Sequence, residues 1–186
     1  MSSKYFENNP VQLGGPGIVV EIDESCFSHK PKHHRGRVPS TPLWVFGLVD
    51  TSTKPGVGYM EIVEKRKADT LLPIIQKVVR HGTTIHSDGW KAYKRIQQDL
   101  GFTHKTVNHS ICFVDRDTEV HTQTVESYWN WQKSFIKSMH GCRRSHLSLY
   151  SYKFMWHERH IPNNFLRFMK LFLQYLLFLH NIVLCS

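Results

Sequence analysis

"TTIHSDGWKAYKRIQQDLG", residues 83–101, decides the fold. It begins as a β-branched run, ends that strand on Asp88, turns through Ser87-Asp88-Gly89 and continues as a helical stretch that Gly101 stops. Just before it, "ADTLLPIIQKVV" (68–79) places Leu71, Leu72, Ile75, Val78 and Val79 at helical spacing. Pro73 lies close enough to the start to be tolerated, Asp69 is a candidate cap and Gly82 closes the helix. A strand held between two helices points to a layered α/β arrangement.

Working outward, three strand-like runs come first: "GIVVEID" (17–23), "LWVFGLVD" (43–50) and "GYMEIVEK" (58–65), the last two joined by the turn-forming "TSTKPGV". The first is β-branched without clear alternation, as expected of a strand buried on both faces, and it ends on Asp23 and Glu24. After residue 101 come a fifth strand around "HKTVNH" (104–109) and a long helix from about Thr124 to Met139. The order β-β-β-α-β-α-β-α predicts a mixed sheet flanked by helices, with three antiparallel strands first and parallel strands after them.

With 186 residues, 40% of them hydrophobic, the chain can bury one core without disulfides or a structural metal. Its 24 Lys and Arg against 15 Asp and Glu give a formal charge of +9, which favours a polyanionic partner. Nucleic acid is expected rather than membrane, because the basic residues are spread along the chain. Cys26, Cys112, Cys142 and Cys185 are far apart and read as thiols in a reducing compartment. His109 with Cys112, and Cys142 with His146, are conceivable zinc pairs, but their spacing matches no common module. Residues 1–17 are polar, contain Gly and Pro, and are expected to be flexible; they lack the pattern of a signal peptide. Residues 161–186 are expected to form a hydrophobic C-terminal helix, buried or at an interface, with a membrane tail as the lesser alternative.

Three acids stand at comparable places: Asp23 and Asp88 at strand ends, and Glu126 in the first turn of the long helix. First and fourth strands can be neighbours in a mixed sheet, and a helix crossing that end can bring a third carboxylate over the pair. Such an all-oxygen set suits Mg2+ or Mn2+ and offers no soft donor to select zinc. Two such ions, about 3.5–4 Å apart, can hold the attacking and leaving oxygens of a displacement at phosphorus.

Around these acids, Glu24 points to the opposite strand face and is expected to support the site, not to bind metal. His86 shares the face of Asp88, either orienting a ligand or satisfied as a strand-end histidine. Asn130 and Lys133 fall on the helical stripe of Glu126, and Lys133 is a candidate phosphate contact. The densest basic run, "KPKHHRGR" (30–37), offers Lys30, Lys32, Arg35 and Arg37 to a phosphate backbone, with a solvated loop or an import signal as alternatives. Trp90, Tyr128, Trp129 and Trp131 are candidate base-stacking aromatics, Trp129 more readily a core anchor.

"VEIDES", "HRGR", "WVFG", "ADTLLPIIQ", "TTIHSDGWKAY", "TVNHS" followed by "CFVD", and "HTQTVESYW" occur in this order. Together they resemble the transposase domain of the ISXO2-like DDE group, related to the IS1016- and Merlin-type transposases. The resemblance covers roughly residues 18–160. It implies an RNase H-like fold, a divalent-metal site of Asp23, Asp88 and Glu126, and DNA cleavage and strand transfer at element ends. It also implies DNA as partner and a homo-oligomer when active, with no small-molecule cofactor. The expected location is the nucleus in a eukaryote, or the cytoplasm and nucleoid in a bacterium. The alternative is a transposon-derived protein that binds nucleic acid or a partner protein without cutting.

Overall fold

The computed structural model describes residues 2–27, 41–107, 120–139 and 141–160. Helix α1 (Ser2–Asn8) precedes strands β1 (Val19–Cys26), β2 (Trp44–Asp50) and β3 (Val57–Val63). Helix α2 (Ala68–Val78), strand β4 (Thr84–Asp88), helix α3 (Ile96–Leu100) and strand β5 (Thr103–Val107) follow. Helices α4 (Gln123–Ser138) and α5 (Leu147–His160) complete the described chain.

The five strands form one mixed sheet in the order β3-β2-β1-β4-β5. β1 and β3 each pair antiparallel with β2, whereas β1–β4 and β4–β5 are parallel, as the strand order predicts. Because side chains alternate along a strand, the register sorts them into two layers. On one face lie Val20, Ile22, Phe46, Leu48 and Ile85, fully buried with Leu71, Ile75 and Val78 of α2. On the other, α4 packs against β1 and β2, and α5 against β3.

α5, which the sequence order above does not contain, closes an edge of the sheet. The outward N–H of Gly58 donates to Glu158 Oε1 at 2.9 Å and that of Met60 to Met155 Sδ at 3.1 Å. Arg159 donates to the Gly58 carbonyl at 2.7 Å. The outward polar groups at these residues of edge strand β3 are thus satisfied by one helix, which leaves no template there for another strand.

Three local expectations need correction. Residues 2–13 are packed instead of loose: Phe6, Val11 and Leu13 are buried, α1 lies against α5, and Leu13 bridges to Val79. Asp69 does not cap α2, whose N-cap position is Lys67 without a side-chain bond; Asp69 sits inside the first turn. The single helix foreseen after Trp90 is broken into a 3-10 turn (Lys91–Tyr93) and the short α3, although Gly101 ends it as foreseen, with φ +71°. Residues 28–40, with the basic run, and residues 161–186, with the apolar tail, lie outside the described residues. Among the described residues, no helix is long and apolar enough to cross a membrane.

Candidate active site

Parallel pairing of β1 with β4 sets the two aspartates side by side. Val19, Val20 and Glu21 face Thr84, Ile85 and His86. Two residues beyond the last pair on each strand stand Asp23 and Asp88, both on this same face of the sheet. Helix α4 lies over this face and carries Glu126 in its first turn. Burial, helped by the charges of Asp88 and Glu126, raises the Asp23 carboxyl to about 6, against a hydrogen bond from Trp129 that pulls it down. Asp23 is therefore close enough to Asp88 and Glu126 to feel both charges. As arranged here the three acids do not close into a ligand set: among the described residues, no three His, Cys, Asp or Glu side chains are grouped to hold a metal ion.

One oxygen of each aspartate is already engaged. Trp129 Nε1 donates to Asp23 Oδ2 at 2.9 Å, and the Trp90 N–H donates to Asp88 Oδ1 at 2.9 Å. The second bond is the turn chemistry of Ser-Asp-Gly, so Asp88 both ends the strand and stays tied to its turn. The first depends on a glycine. Gly47 is the cross-strand partner of Asp23, and a Cβ there would lie 2.4 Å from the Trp129 ring. Only a residue without a side chain lets the indole lie across β2 and reach β1. Trp129 and Tyr128 are accordingly buried core residues, and Trp131 packs edge-on against Phe154.

Glu24 occupies the opposite face, as expected, beside Tyr93. Burial raises its carboxyl to about 7, with Asp23 and Asp88 adding to the rise and Tyr93 and Arg66 opposing it. Tyr93 is itself fully buried, and burial together with Glu24 holds its hydroxyl well above the usual phenol value. The nearby cation, Arg66, was not singled out by the sequence. Its guanidinium sits 3.7 Å from the centre of the Trp44 ring and 5.1 Å from that of Trp90. This stack places a fixed positive charge at the end of the sheet where the acids stand.

His86 is buried two residues before Asp88, next to His121, and burial lowers its pKa. Its Nδ1 has no hydrogen-bond partner. Asn130 and Lys133 are exposed on α4; the Lys133 ammonium lies 5.3 Å from the Phe27 ring, just past the end of β1. Lys30, Lys32, Arg35 and Arg37 lie outside the described residues, as do His109 and Cys112 of the zinc reading.

The sequence analysis also passed over Glu21. It is fully buried, on the same face of β1 as Asp23. Its Oε2 accepts the Val125 N–H at 2.9 Å, its Oε1 accepts the Thr124 hydroxyl at 2.8 Å, and His121 Nδ1 lies 3.1 Å from Oε1. The natural cap position of α4, Thr122, makes no side-chain capping bond. A strand carboxyl about a hundred positions away fills that role. The only available signal in the sequence was an acid at an apolar strand's midpoint, which demands a partner without naming it. Beside α4, Glu21, His86, His121, Lys105 and Lys54 line a cleft of about 750 Å³.

Comparison with known proteins identifies the family and the fold. The family model for the ISXO2-like transposase domain matches residues 12–159. An uncharacterized transposase-like protein of Haemophilus influenzae is 26% identical over 98 residues, covering 53% of this chain and 77% of that protein. The catalytic core of HTLV-2 integrase, solved with magnesium in a dimeric form, superposes with a TM-score of 0.52 at 15% identity, over 81% of this chain and 90% of the core. A chain of the simian T-cell lymphotropic virus intasome, solved with the PP2A regulatory subunit B56 gamma, is 17% identical and covers 82% of this chain at a TM-score of 0.49. The present chain spans about half, 52%, of that viral chain. The fold is the RNase H-like one of retroviral integrase catalytic cores, and the chain belongs to the ISXO2-like transposase domain family.

Proposed function

We propose that this chain is the catalytic domain of a DNA transposase, cutting phosphodiesters and joining the resulting ends with the help of Mg2+ or Mn2+. The observation that supports this most directly is the parallel pairing of β1 with β4, whose ends carry Asp23 and Asp88 near the helix bearing Glu126, with Asp23 feeling both charges. Asp23, Asp88 and Glu126 would hold the ions. The donor set is all oxygen, and a crowded, partly buried group of acids favours a cation that relieves its repulsion.

Bound there, divalent ions would neutralise the phosphodiester and activate the attacking oxygen. The chain's own residues do the rest. Trp129 fixes one oxygen of Asp23, the Trp90 amide fixes one of Asp88, and Lys133 offers a charge to the strand near the cut. Arg66, held between two indoles, is a second cation at that end of the sheet.

A second reading, nucleic-acid or partner binding without cutting, is favoured by one feature: the three acids stop short of a closed ligand set, with an oxygen of each aspartate already bonded. The two are separated by incubating the purified chain with Mn2+ or Mg2+ and labelled DNA. Metal-dependent nicking or joining that Asp88→Asn abolishes, with DNA affinity in the absence of metal nearly unchanged, is the expected result. Retained DNA binding with wild type and Asp88→Asn equally inert selects the second reading.

A further inference from the structure

We infer that Glu21 is a positioning residue for the metal site: it sets the height and angle of α4, and so where Glu126 stands relative to Asp23. This rests on the function proposed above.

Glu21 and Asp23 are two apart on one strand face, about 6.6 Å along the strand. Val125 and Trp129 are four apart on one helix stripe, about 6.0 Å along the axis. Glu21 takes the Val125 N–H and Asp23 takes the Trp129 indole N–H, so two rungs of almost equal spacing tie α4 to β1. The helix is consequently held to the strand at two points. Glu126 is the residue next to the lower rung.

Chemistry explains why a carboxyl stands at this rung. The first N–H groups of a helix lack intrahelical acceptors and carry the positive end of its dipole. Glu21 answers both with one group, and its other oxygen accepts the Thr124 hydroxyl, with His121 Nδ1 3.1 Å from that oxygen. With 0% exposure, the group has no water to fall back on. Losing it would leave the Val125 N–H buried without an acceptor and would free the first turn of α4 to move. Asp23 could not replace it, since its bond lies a full turn along the helix.

The decisive variants are Glu21→Gln, which preserves shape and one acceptor, and Thr124→Val, which removes only the hydroxyl bond. Mn2+ is the probe, followed both by electron paramagnetic resonance titration and by the metal dependence of DNA nicking. Glu21→Gln is expected to raise the half-saturating Mn2+ concentration about tenfold, within the range seen when groups supporting metal ligands are lost. The nicking rate at saturating Mn2+ should recover to within about twofold, and hydrogen exchange should quicken at residues 123–126 but not in β1 or β4. Thr124→Val should shift the titration the same way by less.

A folded Glu21→Gln that titrates like the wild type overturns the inference, as does one whose rate is lost equally at every Mn2+ concentration. If Glu21→Gln fails to fold, an unchanged titration for Thr124→Val overturns it. Mn2+ binding with the expected shift but no nicking by any form keeps the positioning role and removes the proposed function. A wild type that binds no Mn2+ removes both.

Discussion

Asp23 is kept where its charge is unwelcome: partly buried, with Asp88 and Glu126 close by, its carboxyl is raised from 3.8 to about 6. The linkage has a definite sign. A carboxyl whose folded value exceeds its unfolded one binds more protons when folded, so stability falls as pH rises from about 4 to about 6 and is flat above that, as far as this group is concerned. The penalty at pH 8 is on the order of 2–3 kcal/mol at most. Asp23→Asn keeps an acceptor for the Trp129 indole and removes the charge. In chelator it should unfold at higher temperature than the wild type at pH 8 but not at pH 4, while binding Mn2+ more weakly. Thermal melts at the two pH values check this; an equal or lower midpoint at pH 8 counts against it. Glu24, raised to about 7, extends the same slope of wild-type stability toward neutrality.

Among the elements, the contact of α4 with the sheet depends on absences of side chain. A Cβ on Gly47 would press on Trp129 and one on Gly58 would lie 2.5 Å from Tyr128. Gly47→Ala should therefore lift α4, break the Trp129–Asp23 bond and destabilise by about 1–3 kcal/mol, the range for overpacking a filled core. Chemical denaturation measures the loss, and the near-ultraviolet signal of Trp129 should change with it. At the other end, Glu158→Ala should leave the Gly58 N–H without an acceptor and cost about 1–3 kcal/mol. It should also promote self-association through the uncovered β3, visible by light scattering.

The strands, the mixed sheet that makes β1 and β4 neighbours, and α2 were legible because they follow from local patterns and their order along the chain: β-branched runs, turn residues, apolar spacing. α5 was not, since Lys153, His157 and Arg159 obscure its apolar stripe and its task, satisfying β3, is set by a distant edge. α1 and the clamp at Glu21 were hidden for the same reason. Polar residues there are fixed by tertiary partners, and no local rule names those.

Taken as a whole, the molecule carries a formal +9 while gathering Asp23, Glu24, Asp88 and Glu126 at one end of its sheet. These two charge distributions predict separable behaviour. Positive charge governs how tightly a nucleic acid is held, and each phosphate contact replaced by solvent reduces the salt slope of log K by about 0.9 on duplex DNA. Replacing Lys30, Lys32, Arg35 and Arg37 together by Ala should flatten that slope by about 3.6 if all four meet phosphates. Asp88→Asn should leave the slope as it was, because the acids repel phosphate unless a cation stands between. Adding Mn2+ should consequently strengthen wild-type binding at fixed ionic strength and have little effect on Asp88→Asn. Fluorescence anisotropy at several salt concentrations, with and without Mn2+, measures both effects. A slope unchanged by the fourfold substitution would assign DNA holding to the described surface, to Lys133 and the cleft beside Lys105. An Mn2+ effect that survives Asp88→Asn would place the cation elsewhere than between the strand ends.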